Sequence, residues 1–486
     1  MIRALAAPLA VVAFLGALSG SASAAPASAF GPEVEPAQPS GGFVGKLAVE
    51  PKHAPAGAPV RVRGEGFAPG ESLDLVWRTV KGAWKVADGA YNGRAYTPVG
   101  YRIATVAADS TGRISATFTV PEDFGFLHDV VAQRAGRLYT QTGFSVDMTV
   151  KVTPENGPVG TPITVDVQGI GWRPLENSWL LSYDNSFTGW ISAVTTDGAA
   201  RFTIPATGGV GTHTLRLIHG EFTFPYLNPQ QNPVPDRPRF SARFDVTAGV
   251  PVLPPPPERQ VQASVRGLAP TGDLISTPPF AAVGAPVEVR GTGFARGTAL
   301  RLQWNTVTGN RVAAGAWEES SRTIAETTAD VSGEAVFRFD VPDDLGGAHA
   351  ISVADGARKA AGSVWITPSA LPLDVVRGPA GTTATLHLKG IGWTETANIY
   401  HVVYDNAYSG YACGFNSQGD ITVFLPITGE PGWHFIDLYP GIYKGQETRP
   451  NNFRIPQLTY AADHPGEDLP AFHFAVEVTA PRAVGH

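Results

Sequence analysis

The sequence predicts an all-β fold in which several β-sandwiches follow one another along the chain. One observation is the alternation of apolar residues with a period of two, as in VRV at 60–62 and ITVDV at 163–167, which is typical of strands that bury one face. A second is the content of 55 glycines and 42 prolines, which favours frequent turns between short strands. A third is a long internal repeat. Because 486 residues exceed what one hydrophobic core accommodates, we expect several domains.

A duplication divides most of the chain into two long repeats. The segment GPVGT at 157–161 returns as GPAGT at 378–382, and QGIGW at 168–172 returns as KGIGW at 389–393. Both matches have the same offset of 221 residues (378 minus 157). A match that continues at one offset without a gap indicates a true duplication.

Each repeat contains two related units, which gives the order A-B-A′-B′. The segment GAPVRVRG at 57–64 returns as GAPVEVRG at 284–291. All four units share a glycine-rich corner that ends in an aromatic residue, followed by an aromatic strand and a turn that ends in histidine. Units of roughly 100 residues with about seven short strands are typical of immunoglobulin-like sandwiches. The sequence therefore predicts four tandem immunoglobulin-like β-sandwich units.

The repeats and the local composition predict the domain boundaries. The predicted order is a signal peptide at 1–24, a flexible N-terminal segment at 25–43, unit A at 44–148, unit B at 149–249, a Pro-rich linker at 250–261, unit A′ at 262–366, unit B′ at 367–481 and a tail at 482–486. The linker contains four consecutive prolines, which favour an extended, stiff spacer between the two pairs. Within each pair there is almost no linker, so A and B should share an interface.

The N-terminus predicts export from the cytoplasm. Arg3 precedes an apolar run at 4–18, and ASA at 22–24 fits a signal-peptide cleavage site. A membrane anchor is the alternative, but a run of about 15 residues is shorter than the roughly 20 that a spanning helix needs. The net charge of −7 argues against nucleic acid as a partner. We therefore predict a secreted, extracellular protein without a membrane span, and the oligomeric state stays open.

The sequence carries no recognisable catalytic machinery. Its one cysteine, Cys413, cannot form an intramolecular disulfide. Cys413 aligns with Ser192 of the first repeat (413 minus 221), which favours a small packing residue over a reactive thiol. The chain lacks a Gly-x-Ser-x-Gly elbow, a His-Glu-x-x-His pair, a Gly-rich phosphate loop and a CxxC pair. We therefore predict a non-enzymatic protein, with an unrecognised hydrolase as a less favoured alternative.

The openings of both A units resemble a known family of repeats. The segments PVRVRGEGFAPG at 59–70 and PVEVRGTGFARG at 286–297 are similar to the opening line of bacterial immunoglobulin-like repeats of the IPT/TIG kind, which occur in secreted and surface proteins. The B units carry a modified form of this line. The resemblance covers most of the mature chain and implies adhesion, ligand binding or spacing. It transfers no catalytic residue.

Four histidines occupy equivalent positions in the four units. They are His128, His213, His349 and His434. Metal binding or proton transfer would suit this residue type. A residue repeated in four separate cores is more simply explained as an imidazole that closes a strand-end turn through hydrogen bonds. No other histidine or cysteine lies at ligand spacing from them, which weakens the metal interpretation.

Only the B units carry the segments YDNSFTGW at 183–190 and YDNAYSGY at 404–411. Asp-Asn pairs form tight turns, which is one interpretation. The other is a ligand site, in which a carboxylate and an amide bind sugar hydroxyls while the apolar sugar face stacks on a ring. The predicted ligand-binding residues are Asp184, Asn185, Trp190, Asp405, Asn406, Tyr408 and Tyr411. No metal ligand and no cofactor is predicted, although such oxygen atoms would also suit calcium.

Three segments differ between the units and are candidates for ligand binding. Each B unit has a long insertion before its last strand, at 220–239 and 441–471, rich in Pro, Asn, Gln and aromatic residues. We expect both insertions to fold onto the sandwich surface and to build a binding face. In unit A, aromatic and basic residues surround Asn92-Gly93, which predicts either a loop for a glycan or acidic polymer or a plain hairpin about Asn-Gly.

These features favour a secreted, non-enzymatic binding or scaffold protein. In this hypothesis the B units bind a glycan or another cell-surface ligand, and the A units and the linker hold the B units apart. Two tethered sites would gain from avidity. A purely structural surface or assembly component is the alternative. If the ligand hypothesis is right, Trp190, Tyr411 and the two insertions line one exposed groove.

Overall fold

The computed structural model covers most of the predicted mature chain. It describes residues 42–480 apart from residues 88, 178, 222–223, 226, 232–236, 261–271, 310–316 and 444–453. The predicted signal peptide, most of the predicted N-terminal segment and the predicted tail lie outside the described residues. In the described part of the chain, no helix is long and apolar enough to span a membrane.

Unit A is a sandwich of a three-stranded and a five-stranded sheet. Its strands are β1 (Lys46–Glu50), β2 (His53–Pro55), β3 (Pro59–Glu65), β4 (Ser72–Ala87), β5 (Ala90–Ala107), β6 (Arg113–Thr119), β7 (Phe126–Arg134) and β8 (Arg137–Asp147). The strand orders are β1-β3-β6 and β2-β8-β7-β4-β5. Strand β2 pairs parallel with β8, and the other pairs are antiparallel. Two such sheets packed face to face form an immunoglobulin-like sandwich.

Unit B repeats this plan. Its strands are β9 (Thr149–Thr153), β10 (Asn156–Pro158), β11 (Pro162–Gln168), β12 (Trp179–Tyr183), β13 (Ser186–Ile191), β14 (Ala200–Pro205), β15 (Gly211–Glu221), β16 (Phe224–Pro225) and β17 (Phe240–Thr247). The strand orders are β9-β11-β14 and β10-β17-β15-β12-β13, and β16 pairs with β15. Strand β10 again pairs parallel with β17.

Units A′ and B′ follow the same order of sheets. The strands of A′ are β18 (Ile275–Thr277), β19 (Phe280–Ala281), β20 (Pro286–Gly291), β21 (Ala299–Gly309), β22 (Trp317–Thr328), β23 (Ala335–Asp340), β24 (Gly347–Ala354) and β25 (Lys359–Ile366). Those of B′ are β26 (Ser369–Ala370), β27 (Arg377–Pro379), β28 (Thr383–Lys389), β29 (Ile399–Tyr404), β30 (Ala407–Cys413), β31 (Ile421–Pro426), β32 (Gly432–Pro440) and β33 (Phe472–Thr479).

The sheets of A′ are β18-β20-β23 and β19-β25-β24-β21-β22, and those of B′ are β26-β28-β31 and β27-β33-β32-β29-β30. Short 3-10 helices lie at Pro229–Gln231, Pro257–Arg259 and Phe415–Ser417. The prediction of an all-β chain of four tandem immunoglobulin-like sandwiches is therefore confirmed.

The alternation in the sequence explains which face of each strand is buried. In β3, Val60 and Val62 are fully buried, whereas Arg61 and Arg63 are exposed. Each buried side chain of this size contributes about 1.5–3 kcal/mol relative to an exposed one. Trp77 fills the centre of unit A and is fully buried, and its indole Nε1 donates to a buried carboxylate over 2.7 Å. Burial of the ring is thus combined with a satisfied polar atom.

Within each repeat the two units share an interface, as the missing linker predicted. The backbone N–H of Gly125 in A donates to the carbonyl oxygen of Ile170 in B over 3.1 Å. At equivalent positions, the N–H of Gly346 in A′ donates to the carbonyl oxygen of Ile391 in B′ over 3.0 Å. A Cβ atom at Gly125 would lie 1.7 Å from the oxygen of Gly169, so only glycine permits this close approach of the two backbones.

The two repeats also pack against each other through their B units. Val403 and Tyr439 of B′ belong to the hydrophobic core of B, and strands β13 and β30 are in contact. The Thr188 hydroxyl of B donates to the carbonyl oxygen of Asn406 in B′ over 2.6 Å. The expectation that the B units are held apart is therefore wrong.

The Pro-rich linker lies on both B units rather than acting as a free spacer. The N–H of Val252 donates to the carbonyl oxygen of Val159 in B over 3.0 Å. The side-chain amide of Gln260 donates to the carbonyl oxygen of His473 in B′ over 2.7 Å and accepts from its N–H over 2.6 Å. Most of the segment stays exposed, and only Pro257 and Gln260 are buried, so the contact orders the linker without enclosing it.

Candidate functional site

The four equivalent histidines each close a turn, as predicted. In every unit, Nε2 lies 2.7 or 2.8 Å from the carbonyl oxygen of the residue four positions earlier. Each ring also stacks on an aromatic residue of a central strand. The pairs are His128 on Trp77, His213 on Tyr183, His349 on Trp304 and His434 on Tyr404. These contacts hold the fold together.

The second ring nitrogen distinguishes the B units from the A units. In A and A′, Nδ1 faces a backbone carbonyl oxygen. In B, Nδ1 of His213 lies 2.5 Å from Oδ2 of Asp184, and in B′ Nδ1 of His434 lies 2.5 Å from Oδ2 of Asp405. Burial lowers the pKa of His213, but its hydrogen bonds to Gly209 and Asp184 outweigh burial and raise the pKa. The hydrogen bond to Asp405 is the main cause of the raised pKa of His434.

The two predicted Asp-Asn pairs form hairpin turns. Asp184 and Asn185 have φ values of 46° and 67°, and Asp405 and Asn406 have 47° and 61°. Two successive positive φ angles are typical of a type I′ turn, which favours these residue types. Oδ1 of Asp184 also accepts from the N–H of Thr214 over 2.8 Å. Both oxygens of this carboxylate thus stabilise the fold, and a ligand or calcium role for it stays a prediction.

The two asparagines have different surroundings although their positions are equivalent. Asn185 is exposed and accepts from Arg216 over 3.2 Å. Asn406 is fully buried. Its Nδ2 donates to the carbonyl oxygen of Pro205 over 2.8 Å and to Oγ1 of Thr207 over 3.1 Å, and both acceptors belong to unit B. Asn406 therefore joins the two repeats.

Trp190 is buried in the contact between the repeats. Its ring is 3 % exposed, and the guanidinium of Arg94 from unit A lies 5.3 Å from its centroid. The N–H of Trp190 donates to the carbonyl oxygen of Pro456 over 2.8 Å, and its carbonyl oxygen accepts from Leu458 over 2.9 Å. The insertion of B′ thus extends the sheet of B at the edge strand β13. Trp190 and Tyr411 do not share an exposed groove, because this insertion covers Trp190.

Tyr411, in contrast, remains accessible in B′. It is 46 % exposed. The guanidinium of Arg454 lies 5.6 Å from the ring centroid of Tyr411 and 4.5 Å from that of Tyr443, and it donates to the Tyr411 hydroxyl over 3.2 Å. We call these three side chains the Tyr411 patch. Beside it, Tyr408 is half-buried and donates to the carbonyl oxygen of Arg454 over 2.8 Å; burial raises its pKa to about 12.

Asp463, in the insertion of B′, links three units. Its carboxylate accepts from the indole Nε1 of Trp84 in A over 2.9 Å. It also accepts from the backbone N–H groups of Val194 and Thr195 in B, over 2.7 and 2.9 Å. No sequence pattern points to this role, because the partners lie up to 379 positions away. In the B insertion, residues 222–223, 226 and 232–236 lie outside the described residues.

The long hairpin of strands β4 and β5, here called the A arm, extends to B′. Ala87 pairs with Ala90, so the chain reverses its direction before Asn92-Gly93 and not at that dipeptide as predicted. Asp-Gly at 88–89 is an equally favourable turn dipeptide, which explains the difference. At the end of the arm, the N–H of Glu395 in B′ donates to the carbonyl oxygen of Gly89 over 2.8 Å. The arm therefore bridges the two repeats.

The structure also shows the surroundings of potential metal ligands and of Cys413. Across the described residues, no three His, Cys, Asp or Glu side chains come together in a way that would hold a metal ion. Cys413 lies partly buried at the end of β30. It is paired across the sheet with the buried Ile399, a placement compatible with a small packing residue.

Comparisons with known proteins leave the function open. No protein-family model matches the chain, and no curated protein matches it. Solved structures that align with it include Salmonella α-2-macroglobulin reacted with methylamine, at 9 % identity over 90 % of this chain and 31 % of that one, with a TM-score of 0.19. The chain thus spans about a third of that protein.

Two further alignments have similar statistics. Invasin, a bacterial integrin-binding protein, aligns at 10 % identity over 90 % of this chain and 79 % of its own, with a TM-score of 0.19. SGBP-B of a Bacteroides ovatus mixed-linkage glucan utilization locus, solved with a mixed-linkage heptasaccharide, aligns at 12 % identity over 67 % and 65 %, with a TM-score of 0.15. Superpositions this loose carry no argument about function, and the IPT/TIG resemblance stays a prediction.

Proposed function

We propose that this protein is a secreted, non-enzymatic scaffold that holds four sandwiches in one fixed arrangement and presents one ligand-binding face on unit B′. The observation that carries the proposal is the contact between the repeats. Asp463, Asn406 and the A arm all cross from one repeat to the other. Such a set of contacts serves to fix the position of one repeat on the other.

The B-specific residues divide between this contact and the binding face. Trp190 and Asn406 are both buried in the contact between the repeats. The two B units therefore do not present two equivalent ligand-binding sites. The Tyr411 patch remains accessible and combines an aromatic face with a stacked guanidinium. A sugar ring stacks its apolar face on such a tyrosine, while the guanidinium donates to its hydroxyls. We therefore propose a glycan of the cell surface as the ligand class.

Binding of the purified mature protein to a glycan panel tests the binding face. We expect Tyr411→Ala to abolish the signal of any glycan bound by the wild type. The matched control is Phe424→Ala, because Phe424 is an equally large aromatic of the same unit that is 70 % exposed and lies outside the patch. Equal loss in both variants, or full retention in Tyr411→Ala, would refute the Tyr411 patch as the site.

A purely structural role is the second candidate function. It is favoured by the exposed edge strand β22, whose residues 318–323 are all exposed, since an open edge can pair with another chain. Sedimentation velocity over a range of concentrations separates the two functions. Concentration-dependent assembly together with no binding to any glycan would support the structural role and contradict the proposed ligand site.

A further inference from the structure

A cleft lies where the Pro-rich linker crosses from B to B′. Its volume is about 230 Å³. The walls come from three parts of the chain and are mostly apolar. They include Ile204 and Pro205 of B, Val252 and Pro254 of the linker, and Phe435 of B′. The cleft thus exists only because the two repeats and the linker meet here, and none of its walls belongs to the Tyr411 patch.

Two polar side chains of B′ also line this apolar cleft. Asp437 and His473 face each other across strands β32 and β33. Imidazole Nδ1 of His473 lies 2.6 Å from Oδ1 of Asp437, and the N–H at that position donates to the carboxylate. The backbone of His473 is itself fixed by the two hydrogen bonds with Gln260. The pair is therefore rigidly held on the floor of the cleft.

The second carboxylate oxygen of Asp437 lacks a hydrogen-bond donor in the described part of the chain. Asp437 is 1 % exposed, and its Oδ2 has no hydrogen-bond partner among the described residues. A buried carboxylate oxygen without a hydrogen-bond donor is unfavourable, because it has lost its hydration and gained no replacement. The carboxylate of Asp437 therefore offers an acceptor that no donor among the described residues satisfies.

The first repeat lacks this pair, which shows that it is not a requirement of the fold. The strand positions of Asp437 and His473 correspond to the cross-strand pair Arg216 and Ser241 in unit B. A basic residue thus stands where B′ has a buried acid. A buried carboxylate at this position needs donors for both of its oxygens; His473 serves Oδ1, and a cationic occupant would serve the other.

The linker packs closely on Gly160 of unit B, whereas no described residue packs on the equivalent Gly381 of unit B′. A Cβ atom at Gly160 of B would lie 2.0 Å from the carbonyl oxygen of Val252 and 2.5 Å from the ring of Phe435. At the equivalent Gly381 of B′, a Cβ atom would have nothing within 4 Å. The close approach that forms the cleft is therefore specific to the first B unit and its contact with B′.

We propose that this cleft binds an organic ammonium ion, with its N–H groups directed at the carboxylate of Asp437 and an apolar body between the linker prolines and Phe435. An ammonium supplies the missing donor and the opposite charge, and an aromatic face also attracts a cation. An organic anion would be repelled by the carboxylate. A metal ion is disfavoured, because one carboxylate and one imidazole provide too few ligands.

Isothermal titration of the mature protein with benzylammonium tests this inference. Benzyl alcohol has nearly the same shape without the charge and serves as the matched ligand control. We expect one benzylammonium per chain, bound at least about tenfold more tightly than benzyl alcohol, a difference of about 1.4 kcal/mol. Equal affinity for both, or no binding of benzylammonium, would overturn the proposal.

Two variants locate the binding. Asp437→Asn keeps the shape of the side chain and should remove the preference for benzylammonium. Thr203→Tyr should block the cleft, because Thr203 lines it from an exposed strand position, where a larger side chain disturbs no core contact. Unchanged binding in Thr203→Tyr would overturn the proposal even if Asp437→Asn fails to fold. Neither variant touches the Tyr411 patch, so failure here leaves the proposed glycan site standing.

Discussion

The two B units use the same sequence positions in opposite ways. Position 190 and its counterpart 411 are aromatic in both repeats, but Trp190 is 3 % exposed and Tyr411 is 46 % exposed. The asparagines show the reverse, since Asn185 is exposed and Asn406 is fully buried. Duplication thus supplied two copies of one surface, and packing them on each other made them different. In unit B the aromatic serves the contact, whereas in unit B′ the asparagine does.

Truncating the two equivalent aromatics should have the largest and most unequal effect. We expect Trp190→Ala to destabilise the protein by about 3–5 kcal/mol, because it leaves a cavity in a buried cluster. Tyr411→Ala should change stability by less than about 0.5 kcal/mol, because much of its ring already contacts water. Denaturant unfolding followed by tryptophan fluorescence and circular dichroism measures both. Similar losses in the two variants would contradict the asymmetry.

Removing the charge of Asp463 should have the next largest effect. Asp463→Asn weakens hydrogen bonds to units A and B and leaves an N–H donor facing other donors, so we expect a loss of about 2–3 kcal/mol. The control is Asp340→Asn, at an exposed aspartate, which should be neutral within about 0.5 kcal/mol. A stability for Asp463→Asn equal to that of the control would show that the carboxylate does not link the units.

The two asparagines give a smaller, matched comparison. Asn406→Ala removes two hydrogen bonds and leaves the oxygen atoms of the partly buried Pro205 and the buried Thr207 without this donor, so we expect a loss of about 1–3 kcal/mol. Asn185→Ala removes one exposed hydrogen bond and should cost less than about 0.5 kcal/mol. Thermal unfolding of the two variants in parallel checks the order, and a larger loss for Asn185→Ala would reverse the account.

The smallest expected effect is a pH dependence from the B-unit histidines. The pKa values of His213 and His434 are raised by hydrogen bonding, so their contribution is complete below the unfolded value of about 6.5 and is lost as pH rises through the raised values. Desolvation raises the pKa of Glu467 to about 7, which gives the same sign of slope. Stability should therefore fall as pH rises from about 4.5 to about 7 through Glu467, and further above about pH 6.5 through the two histidines.

Variants separate the two sources of this slope. In Glu467→Gln, we expect the decrease in the denaturation midpoint with pH to become smaller but to persist. The additional changes His213→Gln and His434→Gln should reduce the remaining slope. A slope that is unaffected by all three changes, or a stability that rises with pH in this window, would contradict the raised pKa values.

The sequence was sufficient for the fold of each unit but not for the contact between repeats. Period-two alternation, as in Val60 and Val62, reports which face of a strand is buried, and the 221-residue offset reports that the units are related. Both signals are local or internal to the chain. The Asp-Asn turns at 184–185 and 405–406 were also predictable, because the chemistry of a tight turn lies in adjacent residues.

The contact between repeats depends on pairs that are distant in sequence. Asp463 and Trp84 are 379 positions apart, and neither residue differs in type from an ordinary surface aspartate or core tryptophan. The linker was predicted as a spacer because prolines favour an extended conformation, and that conformation says nothing about what the rings contact. Because Trp190 and Tyr411 occupy equivalent sequence positions, we expected both to be exposed. The packing of B on B′ buries Trp190 and leaves Tyr411 accessible.

Small-angle X-ray scattering of the mature protein tests the central claim that the repeats form one body. We predict that the scattering profile matches the one calculated from the structure in which B packs on B′. At low protein concentration, the pair-distance distribution should have a single maximum. A distribution with two maxima, as expected for two sandwich pairs separated by an extended linker, would contradict it.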